Sequence, residues 1–162
     1  MKSTFKLKGK FRFECFDKDG KLKWAKEADN AATNEGLDKV LDVFFHGVTL
    51  VSPWYIGLIT GTGTLNAADT LASHAGWTEG TDYTGNRLEW TEGAASSQSI
   101  TNGTAVDFPI TGTMTVKGAF LSSAATGTTG TLFCTAAFTG GDQVVGNGDT
   151  LKVTYTVTAA AA

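Results

Sequence analysis

The chain has 162 residues, with 41% apolar side chains and 13 Lys and Arg against 16 Asp and Glu, enough to bury a core as one domain, residues 1–162, without metal or disulfide staples. No apolar run approaches the roughly 18 residues of a membrane span, and MKSTFKLKGK has charge but no apolar stretch behind it, so neither a membrane span nor a signal peptide is expected. Twenty Gly, ten Phe and four Trp beside only two Pro, together with abundant Thr, point to extended segments joined by many turns.

The charge is polarised along the chain. Residues 1–27 hold nine Lys or Arg against four acids, and the remainder holds four bases against twelve acids. Within the basic part, Phe11, Phe13 and Cys15 alternate with Lys10, Arg12 and Glu14, the period of a half-buried strand. Asp17-Lys18-Asp19-Gly20 supplies turn dihedrals before KLKWAKE, so residues 4–27 read as a β-hairpin. The same four residues resemble the opening of a calcium loop, but the later ligands and the closing Glu are missing. Lysines interleaved with Phe also suit nucleic acid. The acidic remainder would repel it, so residues 1–28 are read as a basic hairpin arm on a body of residues 29–162. Lys6, Lys8, Lys10, Arg12, Lys21 and Lys23 are then the candidate contacts to an acidic protein surface, the plainer role being to guard an exposed strand edge. Cys15 and Cys134 lie far apart, each in an apparent strand, and read as buried free thiols of a chain made in a reducing cytosol, although spacing alone leaves a bridge open.

NAATNEGLDKVLDVFFHG is the one helix. Thr33 or Asn34 can cap it, Glu35 suits its positive end, and Leu37, Val40, Leu41, Phe44 and Phe45 recur at helical spacing. A helix this short is marginal alone, so its apolar face is expected to lie on the sheet, with His46 capping carbonyls in the last turn. VSPWYIGLIT follows as a buried strand, and RLEWTEG, AVDFPIT, GTMTVKGAFLSS, TGTLFCTAAFT and DTLKVTYTVTA continue the strand pattern. Pro109 removes a ladder donor and places its strand at an edge or bulge. Residues 93–104 and 122–131 read as loops. The whole predicts a mainly β fold, an antiparallel sandwich or barrel of jelly-roll type, with an N-terminal hairpin and one short α-helix.

Catalytic patterns fail on details. GTGTLNAADT lacks the Lys-Ser/Thr end of a phosphate loop. Asp69, Ser73 and His74 contain the atoms of a nucleophile set but lie close enough to form one capped turn, with Asp69 holding the turn, Leu71 inside it and Trp77 pinning it. The two His and two Cys have no zinc-like spacing. Glu79, Asp82, Glu89 and Glu92 around Trp77, Tyr83 and Trp90 could imitate a glycosidase cleft or a glycan-binding face, although acids and aromatics alternating on strands are more simply outer and inner faces. No enzyme activity, metal or cofactor is expected.

The succession NAATNEGLDKVLDVFF, WYIGLI, AADTLASHAGWTE, SITNGTAVDFPITGTMTVKGAFL and GDTLKVTYTVT resembles small virion structural proteins of tailed bacteriophages, most of all those that decorate or cement the capsid. It spans roughly residues 29–158. The resemblance implies a non-enzymatic, homo-oligomeric protein, made in the host cytoplasm, that binds the major capsid protein on the virion surface, with no nucleic acid or membrane partner. The alternative it leaves is a tail or receptor-binding module with a glycan-binding aromatic face.

Overall fold

The structure, a computed structural model, describes residues 5–161. In chain order the strands and the helix are β1 (Phe5–Phe16), β2 (Leu22–Ala32), α1 (Asn34–Phe45), β3 (Trp54–Thr60), β4 (Thr78–Gly80), β5 (Leu88–Trp90), β6 (Ser99–Thr101), β7 (Val106–Pro109), β8 (Met114–Val116), β9 (Gly118–Ser122), β10 (Leu132–Ala137), β11 (Gln143–Val145) and β12 (Thr150–Ala161). The pairing path is β4-β3-β9-β10-β2-β1-β12-β6, all antiparallel. Its two ends do not pair with each other, so the arrangement is sandwich-like and not a closed barrel. β2 joins the two layers: its first part, to Asp29, pairs with β1, and Asn30 to Ala32 pair with β10. The outer positions are split into short pieces, β4 and β5 on β3 and β6 and β7 on β12. Short edges of this kind resist pairing with other chains.

The basic hairpin forms as its sequence predicts. Asp17 Oδ1 accepts from the amides of Asp19 and Lys21, each at 2.9 Å, and Gly20 takes a φ of 78°. It is not an arm, however. β1 pairs with β12 from Phe5 to Phe16 and with β2 on its other side, and Phe11, Phe13 and Cys15 are wholly buried. Hydrophobic burial, which alternation foretold, locks the hairpin into the middle of the sheet.

Opposite these residues β12 contributes Leu151, Val153 and Tyr155, and the second layer contributes Ile56, Leu58, Ala119, Leu121, Cys134 and Ala136. Tyr155 is the centre of this core. Its ring stacks on Phe11 with centroids 4.1 Å apart, Trp90 meets it edge-on, and its hydroxyl accepts from Asn30 Nδ2 at 3.0 Å, at the corner of β2. Burial, foremost, pushes its phenol well above the ordinary range. Cys134 Sγ lies 3.3 Å from the same hydroxyl, and both cysteines are buried free thiols.

Residues 61–77 cover the outer face of the second layer. Leu71 and Trp77 pack there with Ile59, Phe120 and Leu132 in a second small core. β9 is therefore buried at every position, because both of its faces are covered. Pro109 ends β7, which pairs only with β12, as an edge strand should. Two expectations need correcting. Residues 93–104 are no simple loop: β6 lies among them, held by Asn102, which accepts from the Tyr155 amide at 2.8 Å and donates to the Val153 carbonyl. GTMTVKGAFLSS is also two strands, broken at Lys117, whose amide turns away to the Ile59 carbonyl.

Gly9 faces this centre directly, and a Cβ there would lie 2.5 Å from both Asn30 Oδ1 and the Tyr155 hydroxyl. Gly9→Ala should therefore cost about 1–3 kcal/mol by overpacking in urea unfolding. An unchanged midpoint would show that the Tyr155 and Asn30 pair is not fixed.

Candidate interaction surface

The N-terminal end of α1 is fastened to β10. Thr33 caps the helix by accepting from the Gly36 amide at 3.1 Å, its hydroxyl donates to the Leu132 carbonyl, and Glu35 accepts from the Leu132 amide. Gly36 lies flat on Phe133, where a Cβ would collide with the Phe133 carbonyl. Beyond that turn Val40 still packs against the core, while the opposite side of the helix faces solvent. His46 closes it through its own amide, bonded to the Asp42 carbonyl at 3.0 Å, and Gly47 leaves with a φ of 71°.

This anchoring overturns the expected packing of the apolar face. Gly36 is the buried residue of the helix, with Val40 and Val43 half-buried beside it, while Leu37, Leu41, Phe44 and Phe45 point to solvent. At about 100° per residue, the apolar arc from Val43 round to Phe45 spans roughly 200°, twice what one docked face needs. Only one flank of it meets the sheet. Exposure reaches 76% at Phe44 and 85% at Phe45, and Phe5 and Leu50 nearby are 67% and 71% exposed.

Beside the helix runs an open apolar groove of about 420 Å³, floored by Leu7, Ile100, Val157 and Phe133 and rimmed by Phe5, Phe44 and Leu50. Among the described residues, Lys39, Ser52 and Glu92 are the only polar ones along it. The width of the apolar arc was the sequence signal for this surface. The assumption that a short helix must bury all its apolar residues in its own chain concealed it.

The six basic candidates do not converge. Lys6, Lys8, Lys10 and Arg12 share the outer face of β1, whereas Lys21 and Lys23 lie at the far end of the hairpin, roughly 30 Å from Lys6 at the strand's rise. Three are engaged within the chain: Lys10 with Glu27 at 3.0 Å, Arg12 with Glu14 at 3.0 Å and Lys23 with Asp149 at 2.5 Å. Among the described residues, no carboxylate is in ion-pair range of Lys6, Lys8 or Lys21.

Asp69, Ser73 and His74 lie in one turn. Asp69 Oδ2 accepts from Trp77 Nε1 and from the Asn66 amide, each at 3.0 Å. The His74 ring stacks on Trp77 at 3.8 Å, and since a carbonyl only accepts, its Nδ1 donates to Trp77 O. Ser73 stands exposed in the turn, its amide bonded to Thr70 Oγ1. These residues form the pinned turn that the sequence suggested. The glycan face built on Trp77, Tyr83 and Trp90 is absent, because all three rings are buried. Trp90 Nε1 donates to Asn102 and to the Tyr155 carbonyl, and burial pushes the Tyr83 phenol up to about 12. Glu79 accepts from Nε and Nη2 of the buried Arg87, at 2.8 and 2.7 Å, a pairing not foreseen from the sequence.

Residues 31–159 match the family model of the podophage GP4 fiber I protein gp80. The chain belongs to this family. It is accordingly a phage virion structural protein, a broader statement than the capsid-decorating role that its sequence texture suggested. The matched region starts near the end of β2, so β1 and most of the basic hairpin fall outside it. No curated protein matches the chain.

Asp149 supplies a pH test of the engaged part of the hairpin. Burial alone would raise its carboxyl, but Lys23 and the Gly146 amide outweigh this and hold it below the ordinary value. A depressed carboxyl lends stability that is complete above its unfolded value of about 3.9 and disappears as pH falls through the lower folded value. Urea unfolding between about pH 6 and pH 2 should therefore lose less stability in Asp149→Asn than in the parent, and parallel losses would contradict the Lys23 pairing.

Proposed function

We propose that this protein is a non-enzymatic subunit of the phage tail fibre apparatus, acting through surface contacts. The family match carries this reading, since the family's name is that of a fibre protein and favours a tail location over a coat on the capsid. The chemistry of the surface supports it. Asp69 Oδ2, His74 Nδ1 and both Glu79 oxygens are engaged in holding a turn or a buried arginine, which favours a structural role for these side chains. What the molecule offers instead is an apolar helix stripe and a groove, the features of a contact.

The lysines of the outer β1 face add no comparable argument for docking onto an acidic shell. Lys10 and Arg12 face carboxylates of their own chain, and exposed pairs of that kind contribute little affinity. Disrupting purified particles, separating heads from tails and quantifying this chain in each fraction by mass spectrometry tests the location. The chain should travel with the tails, at a few copies per particle. Recovery with the heads in a simple ratio to the shell protein would overturn the fibre reading in favour of capsid coating.

A further inference from the structure

We propose that the stripe Leu37, Leu41, Phe44 and Phe45, with the groove beside it, is the contact surface for a second copy of this chain. The inference rests on the fibre reading for the need to assemble, whereas the surface is argued from its geometry. Three observations carry it: the area, the spacing and the self-complementary shape of one face.

Phe5, Leu37, Leu41, Phe44, Phe45 and Leu50 together leave roughly 700 Å² of largely apolar surface in solvent. That exceeds the about 300–600 Å² of the largest patch on a typical monomer. It is close to the ~800 Å² that each partner gives to a standard stable interface. Leu37, Leu41 and Phe44 follow the four-then-three spacing of a helix seam, the pattern by which one helix packs along another. The same face also carries a protruding ring pair, Phe44 and Phe45, next to an apolar trough rimmed by Phe5 and Leu50. A surface with both knob and hole can meet its own copy about a two-fold axis and bury both at once.

Other occupants fit less well. A small ligand would call for a few convergent polar groups, and among the described residues the groove offers only Lys39, Ser52 and Glu92, at scattered positions. An anionic lipid surface would meet a helix that carries Glu35, Asp38 and Asp42 against the single Lys39.

The test is sedimentation velocity of the full chain over about a hundredfold range of concentration. The parent should reach a multiple of the single-chain mass as concentration rises. Leu41→Glu should remain a single chain throughout, with its circular dichroism and melting profile retained. Phe45→Lys is the second variant, because a side chain exposed to this degree has no part in folding, and it should also lose assembly. A parent that stays single at every concentration overturns the proposal, including the case in which it floats with neutral phosphatidylcholine vesicles or assembles only on mixing with another virion protein. Assembly of both variants at parental strength overturns it as well. Sedimentation is blind to where the particle places the chain, so this result and the head-and-tail fractionation can fail independently.

Discussion

The architecture hangs on the pairing of β1 with β12 around Tyr155. Twelve residues of each strand run antiparallel in unbroken register, from Phe5 opposite Ala161 to Phe16 opposite Thr150. A one-residue slip would turn Phe11, Phe13 and Cys15 outward and bring Lys10 and Arg12 into the core, so the register is fixed by burial. Tyr155 then ties the pair to everything else. Its ring packs on Phe11 and Trp90, its hydroxyl reaches Asn30 where β2 passes between layers, and its backbone holds Asn102 and with it β6. With that centre in place, β2 leads into β10, and β10 fixes the start of α1.

The helix is the point at which local consistency breaks. Thr33, Glu35 and Gly36 make three separate attachments to β10, and together they fix the rotation of the helix as well as its position. Leu37, Leu41 and Phe44 are not free to roll inward, since turning them toward the sheet would carry Gly36 off Phe133. An apolar stripe held outward by buried hydrogen bonds is a cost to the isolated chain. Sequences that are consistent elsewhere accept such a cost where contact is made. In a phage virion structural protein, contact is the function.

Much of the fold was legible because alternation reports burial directly. Phe11-Phe13-Cys15 and the Asp17 to Gly20 turn announced the hairpin, Thr33 announced the cap, and Pro109 announced an edge strand. Residues 61–77 could also be resolved into a pinned turn from Asp69, Leu71 and Trp77 alone. What stayed hidden depended on partners distant in sequence. Nothing local shows that β12 would enclose β1, so a basic strand looked like an arm. Asn102 looked like loop composition until its side chain met the Tyr155 amide, and Arg87 gave no sign that it would bury itself against Glu79. The direction of the α1 apolar face was settled by Gly36 on Phe133, a contact across about a hundred residues of sequence.

The central claim, that the apolar face of α1 is a contact surface in the virion, is tested most directly by hydrogen exchange of residues 34–52. Exchange would be followed by mass spectrometry in the dilute isolated chain and in intact particles. The account predicts amides beyond the Gly36 anchor that exchange readily in the isolated chain and are strongly slowed in the particle, while β1 and β12 stay protected in both. Equal exchange of residues 34–52 in the two states would contradict it.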